Sequence, residues 1–296
     1  MVIGFSLSRW GFPAPQFWPA AERLIYFVLL PALLIERLAT AQLQAPGLVP
    51  LTLGLLGTVA TLSGVLWALG RGRRWDAKAF GAAYQGGVRF NTYLVLIFTE
   101  ALLGAPGSAL GAWLIALHMP LGNVLSVWVL HGKRPSWQTF ATNPLIIACA
   151  LGLGCNFSGL GLPWGSDRPL ALLGSAALPL GLLAVGAGLR PALVAPRLEV
   201  LGSAVAVKLL LAPLIALGWA YYLELIPLEA AVLVLFWAQP TAPSAYILTR
   251  QLGGDAALMA AILTVQTALA ALTLPAVGYA LAATLGPDVI RASPFP

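Results

Sequence analysis

The sequence predicts an all-α membrane protein built from two inverted five-helix repeats with crossed broken helices. Three observations predict it. The first is composition: of 296 residues, 59% are hydrophobic and 9% charged, with a mean hydropathy of +0.88, whereas soluble domains carry about 25% charged residues. The second is a series of apolar runs of about 20 residues, each long enough to cross a bilayer. The third lies inside one such run, Leu228 to Leu252, at Trp237-Ala238-Gln239-Pro240-Thr241-Ala242-Pro243-Ser244-Ala245-Tyr246. Two prolines three residues apart cannot continue a regular helix, because each ring removes an amide donor and clashes with the preceding turn. Carbonyls freed in hydrocarbon cost several kcal/mol each, so the break must be packed in protein or line a polar cavity. The half-helix that restarts there turns its positive N-terminal end inward.

Taken in order, a stub at 1–8 precedes nine apolar segments, at 17–39, 47–70, 79–103, 106–130, 141–160, 169–189, 198–223, 228–252 and 255–285. Met1 to Trp10 has no basic region ahead of an apolar run, so no cleavable signal peptide is expected. The net charge of +6 is not a nucleic-acid footprint, because most Lys and Arg lie in short loops between apolar segments. The loops 71–78 (Arg71, Arg73, Arg74, Lys78) and 131–137 (Lys133, Arg134) fall on one side, with Arg9, Arg23, Arg190, Arg197 and Arg250. Glu224, Glu229 and Asp167 with Arg168 fall on the other. The positive-inside bias puts the basic loops in the cytoplasm and the C-terminus, Gly286 to Pro296, outside. Cys149 and Cys155 lie on different faces of one segment and read as packing residues. Neither a metal site nor a cofactor is indicated.

An internal repeat is present. Pro31 and Pro179 are 148 residues apart, and the same offset carries Asn91 onto Gln239. Gly4 to Pro13 spans nine positions, as does Gly154 to Pro163. The repeats are expected at 1–137 and 138–296. Five segments per half is an odd number, so the halves have opposite orientation, the usual architecture of a secondary transporter. Gly4 has three residues before it, where Gly154 follows an apolar stretch from Pro144. The expectation is a truncated first helix, leaving about nine full transmembrane helices.

The partner of the double-proline break is then Arg89-Phe90-Asn91-Thr92-Tyr93. Asn and Thr favour helix N-caps over helix interiors, and Asn91 is placed to cap the outer half-helix. Asn91 and Gln239 are expected to face each other near the midplane and offer amide donors to a carboxylate; the bland reading is that both only satisfy broken backbone. Thr241 and Ser244 are candidate caps for the second restart. Arg89 lies about 15 Å into its segment, where a charge costs at least about 2.5–3.5 kcal/mol unless paired or hydrated. It reads either as counter-charge for an anion or as a buried pair or snorkelling side chain. Lys208 is similarly deep, with Glu100 as one candidate partner and a cation's place as the other reading. Asn123 and the pair Gln266–Thr267 read as interhelical hydrogen-bond partners. His118 and His131 lie towards segment ends and lack metal spacing.

These stretches resemble the auxin efflux carrier (PIN-like) family, in its bacterial organic-acid permease branch. The similar runs are Gln85 to Tyr93, Pro120 to Val124, Asn143-Pro144-Leu145, Leu178 to Leu189 and Gln239 to Tyr246. The resemblance implies ten helices, a scaffold domain and a mobile transport domain interleaved between the repeats, and a crossover that holds an anionic substrate. Substrate-binding positions would be Arg89, Asn91, Thr92, Gln239, Pro240, Thr241, Pro243 and Ser244. The implied activity is elevator-type carriage of mono- or dicarboxylates such as malate or malonate across the bacterial inner membrane. Proton coupling, sodium coupling and a homodimer are left open. This chain departs from the family pattern in its short first helix and in lacking a proline at the first crossover. The alternative within transport is a sodium-coupled symporter resembling bile-acid transporters. An intramembrane enzyme has little support: no paired acidic residues suit prenyl transfer, and Ser158 in Asn156-Phe157-Ser158-Gly159 has no histidine near it in sequence. A non-transporting sensor is the third class.

Overall fold

The computed structural model describes residues 2–40, 48–131, 142, 144–159, 161–187 and 197–285. Every regular element among them is helical. In order they are α1 (Val2–Arg9), α2 (Phe17–Thr40), α3 (Leu48–Gly72), α4 (Ala77–Val88), α5 (Thr92–His131), α6 (Pro144–Ser158), α7 (Asp167–Ala187), α8 (Leu198–Tyr222), α9 (Pro227–Ala238), α10 (Pro243–Gln251) and α11 (Ala256–Leu285). The basic loop around Lys133 and Arg134, the residues Asn143, Gly188 and Arg190, and the C-terminal segment lie outside the described residues.

Local chemistry accounts for the boundaries. The Asp76 carboxylate accepts from the backbone N–H of Lys78 (3.1 Å) and Ala79 (3.0 Å) and starts α4. Asp255 accepts from Leu258 N–H at 3.0 Å and starts α11. Pro227 and Pro243 sit in the first turns of α9 and α10, where a missing N–H costs nothing. Asn156 on α6 donates to the last carbonyls of α2, Leu38 at 2.9 Å and Ala39 at 3.2 Å. Two helices carry a five-residue π turn, Ile25–Leu29 in α2 and Val207–Leu211 in α8.

Among the described residues, five helical spans are long and apolar enough to cross a membrane, or six if the bent pair α9–α10 counts as one. One of the five, Ala77–Leu130, is 54 residues long and is not a single rod, which would run to about 80 Å. It breaks at 89–91 and again at Gly104, whose φ of 67° and ψ of −165° are not helical. After Gly104 the chain folds back: a Cβ on Gly111 would lie 3.0 Å from the Thr99 hydroxyl and 3.5 Å from Val95 Cγ1. A continuous helix would hold residues 95 and 111 about 24 Å apart. α5 is therefore a helical hairpin. The expected segments 79–103 and 106–130 are its two arms plus α4.

Element starts recur at a spacing of 150: α2 and α7 begin at 17 and 167, α3 and α8 at 48 and 198, α4 and α9 at 77 and 227. α3 and the helix of α8 are each 25 residues long, and α4 and α9 each 12. The offset of 148 taken from Pro31 and Pro179 is therefore short by two. Those prolines sit inside helices and do not mark a common start. Gln239 answers to Arg89, and Asn91 to Thr241.

The helices pack as two groups. α2 packs on α6 and α7, and α1 on α7; α3, α4, α8, α9, α10 and α11 pack on one another; α5 touches both groups. At the centre is α9, buried at every position from Glu229 to Ala238. Gly86 and Gly87 allow α4 into this centre: a Cβ on either would lie 2.7 Å from Ile262 or Leu66.

Candidate functional site: two helix breaks tied together

Both breaks are real interruptions of backbone. Val88 ends α4, and Arg89 is extended (φ −77°, ψ 158°). Ala238 ends α9, and Gln239 (φ −68°, ψ 142°) and Ala242 (φ −90°, ψ 154°) are extended too. No proline is needed at the first break, because Asn91 supplies what holds it. Its Oδ1 accepts from Tyr93 N–H at 3.1 Å and Leu94 N–H at 3.3 Å, so it caps α5. Asn91 is fully buried, and its Nδ2 donor has no partner among the described residues. Thr92 follows as the first, half-buried residue of α5.

At the second break the side chains do other work. Gln239 is fully buried; its amide N donates to Leu235 O, one turn back in α9, at 2.9 Å. Oε1 is left without a partner, so Gln239 presents an acceptor where two amide donors were expected. Neither Thr241 nor Ser244 caps α10, whose N-cap Ala242 has no side-chain bond. The buried Thr241 hydroxyl donates instead to Gln85 O at 3.4 Å, across to the first break. Ser244, exposed in the first turn of α10, accepts from Arg89 Nη2 at 3.4 Å. Arg89 Nη1 reaches Gln85 Oε1 at 3.5 Å, and no carboxylate among the described residues pairs with this guanidinium. Pro240 is buried and Pro243 half-buried, completing the loop.

Two glutamines organise this junction. Gln85 donates from Nε2 to the buried Thr249 hydroxyl of α10. Gln266, fully buried on α11, donates to Gly86 O (2.9 Å) and Ala204 O (3.1 Å), and its Oε1 accepts from Thr241 N–H (3.0 Å). One side chain thus joins α4, α8, α11 and the second break, which fits its expected interhelical role. Gln85 was missed as a site residue. Its signal in the sequence was a lone glutamine one helical turn before Arg89, ahead of two glycines.

Two expectations are corrected. Glu100 pairs with Arg37 at 3.0 Å, with Glu36 Oε2 3.5 Å from Arg37 Nε, and so does not serve Lys208. His118 is not a segment-end residue: it is buried, and its Nε2 lies 3.0 Å from Val88 O at the end of α4. The imidazole packs edge-on against Phe90, Phe236 and Trp237, with centroid distances of 5.2, 5.6 and 5.2 Å. The kink at Gly104 brings it there, because the second arm of α5 returns alongside the first. Cys149 is buried and Cys155 half-buried, both free.

Two helix interruptions, cross-linked through backbone and side chain, leave unpaired polar atoms at depth in an otherwise apolar helical body. A model of the family described as membrane transport protein matches residues 132–277. A protein from Methanothermobacter thermautotrophicus, named an uncharacterized transporter, is 25% identical over 284 residues, covering 93% of each chain. Over residues 132–277 the chain is similar to the PIN-like membrane transport family. It is an integral membrane protein of the transporter class, and family and relative both point away from an enzyme. The family match takes in the second break and Gln266. The relative's coverage extends the likeness to the first half of the chain.

Proposed function

We propose that the chain is a secondary transporter of small organic anions, mono- or dicarboxylates such as malate or malonate, held where the two helix breaks meet. One observation carries the reading: Arg89, with no carboxylate partner among the described residues, lies within hydrogen-bond reach of Ser244 on the opposite break. Two helices, α5 and α10, restart at these breaks with their positive ends towards the same region. Asn91 Nδ2 adds a buried donor still to be satisfied. A carboxylate accepts from all of these at once, and water alone does not neutralise the guanidinium.

The two packing groups support an elevator reading of the movement. α1, α2, α6 and α7 form the scaffold, and the group around α9 is the mobile body that carries the breaks across in an elevator step. The spacing of 150 between element starts supports two repeats, read as inverted because each half contains an odd number of crossings. In this reading the protein lies in the bacterial inner membrane, and the positive-inside bias supports basic loops inside and the C-terminus outside.

Uptake of labelled malonate into liposomes containing the full chain tests the reading. Exchange above protein-free liposomes, lost in Asn91→Ala, is expected. Absence of exchange with any of a panel of small carboxylates overturns it. Uptake abolished when sodium is replaced by potassium favours the bile-acid-like symporter instead.

A further inference from the structure

Lys208 lies in the π turn of α8 and is fully buried. Its Nζ has no hydrogen-bond partner among the described residues, and no carboxylate pairs with it there. Its one specific contact is the ring of Trp237, 4.8 Å from Nζ to the ring centroid. Trp237 is two residues before Gln239. The position 150 residues earlier is Thr58, a neutral side chain satisfied by its own helix through Gly54 O at 2.7 Å. The cation therefore belongs to one half only and is no requirement of the repeated architecture.

We propose that Lys208 is the proton-coupling group of the carrier, taking up a proton when the anion loads and losing it when the anion leaves. This rests on the carrier reading above. Three features of the site suit the role. A lysine held in an ion pair is locked as ammonium, since losing its proton strands the carboxylate. Lys208 has no such lock. The face of Trp237 accepts an ammonium through its quadrupole and a neutral amine as an apolar neighbour, so both charge states fit the same pocket. A π turn in a transmembrane helix is a common mark of a functional position.

The link to the anion is mechanical. Trp237 is in the last turn of α9, so any rearrangement of the break at 239–242 alters what lies over Nζ. Gln239 Oε1, two residues on from Trp237, and His118 Nδ1, on the ring packed against it, are buried and without a partner among the described residues, and offer acceptors to a proton-carrying water. The proton balance is simple: a proton from water on one side converts the amine to ammonium, and it is released to water on the other.

The elements packed against this turn are α4, α9 and α11. Their ionisable groups are Lys78 and Tyr84 on α4, Glu229 on α9 and Tyr279 on α11. Tyr84 is bonded to Ser63 at 2.9 Å, Tyr279 is exposed, and Glu229 is eight residues before Trp237, about 12 Å along α9. His118, across Trp237, and Arg89 at the first break complete the neighbourhood. Glu199, Tyr221 and Tyr222 belong to the ends of α8 itself.

The test uses the full chain in liposomes, with malonate as probe and the membrane potential clamped by valinomycin at equal potassium. Two arms are read, exchange without a gradient and accumulation driven by one pH unit, acid outside. At one proton per anion the second reaches up to about tenfold above protein-free liposomes. Lys208→Met fixes the neutral state and Lys208→Arg the charged one. Exchange retained in either variant with accumulation lost is the expected result. Exchange without gradient-driven accumulation in wild type overturns the proposal and leaves the carrier standing, whatever the variants do. Accumulation retained in both variants overturns it too, as does loss of exchange in both with unchanged circular dichroism melting, since Lys208 would then serve binding. Absence of exchange in wild type removes the carrier reading and this proposal together.

Discussion

Replacing Gln266 by leucine is expected to loosen the junction measurably. Leucine is close to glutamine in volume, so no large cavity forms, but three hydrogen bonds disappear. Two backbone groups are stranded. Gly86 lies in the last turn of α4, where carbonyls lack an intrahelical partner, and Thr241 N–H lies in the break. At about 1–3 kcal/mol for each stranded buried group, the loss is about 2–6 kcal/mol. Interhelical bonds in membrane proteins average about 0.6 kcal/mol each, which gives about 2 kcal/mol for three. The two routes meet at about 2 kcal/mol, or a fall in Tm of about 4–8 °C on the scale of larger domains. Thermal unfolding in detergent, followed by circular dichroism, reads this directly. A Tm within about 1 °C of wild type would refute the claim that Gln266 holds the breaks together.

Asn91 carries two roles that two substitutions separate. Asn91→Ala removes the cap of α5 and should cost about 0.5–2 kcal/mol. Asn91→Asp keeps an acceptor for Tyr93 and Leu94 but replaces the free Nδ2 donor with oxygen. Malonate binding by the folded variant should fall by more than about tenfold; equal binding would leave Asn91 as a cap alone. Thr273 on α11 has a buried hydroxyl without a partner among the described residues, so Thr273→Val should raise stability by about 1 kcal/mol, and a drop in Tm contradicts that. At the loop end of the helix group around α9, Arg197 bonds Asp76 and lies 3.6 Å from Asp255. The hydrogen bond from Arg197, with Ala79 N–H, holds the Asp76 carboxyl below its ordinary value of 3.8. A lowered folded value means the contribution is complete above 3.8 and is lost as pH falls through the folded value. Acidifying below the usual aspartate range should therefore lower the Tm, modestly because the pair is exposed, and Asp76→Asn should flatten that dependence.

Much of this was legible in the sequence because it is set by local covalent chemistry. Pro240 and Pro243 break a helix wherever they stand, and an apolar run has to be buried whatever surrounds it. Asn91 reads as a cap from residue type alone. The membrane class, the helical segments and the second break followed from such terms. The pairing of Lys208 with Glu100 did not survive, because depth in a segment says nothing about azimuth: Glu100 turns to Arg37, and Lys208 to Trp237. The repeat register slipped by two because prolines tolerated inside helices are not anchored to helix starts. His118 looked peripheral until the reversal at Gly104 folded the second arm of α5 back against the first break. Which polar atom is used up and which is left over depends on neighbours far apart in the chain, as Gln266 with Gly86, Ala204 and Thr241 shows. Hydrogen bonds form across space at fixed distance and angle, so only the packed helices decided that, among the described residues, Asn91 keeps a donor, Gln239 an acceptor, and Lys208 an ammonium with no hydrogen-bond partner or counter-charge.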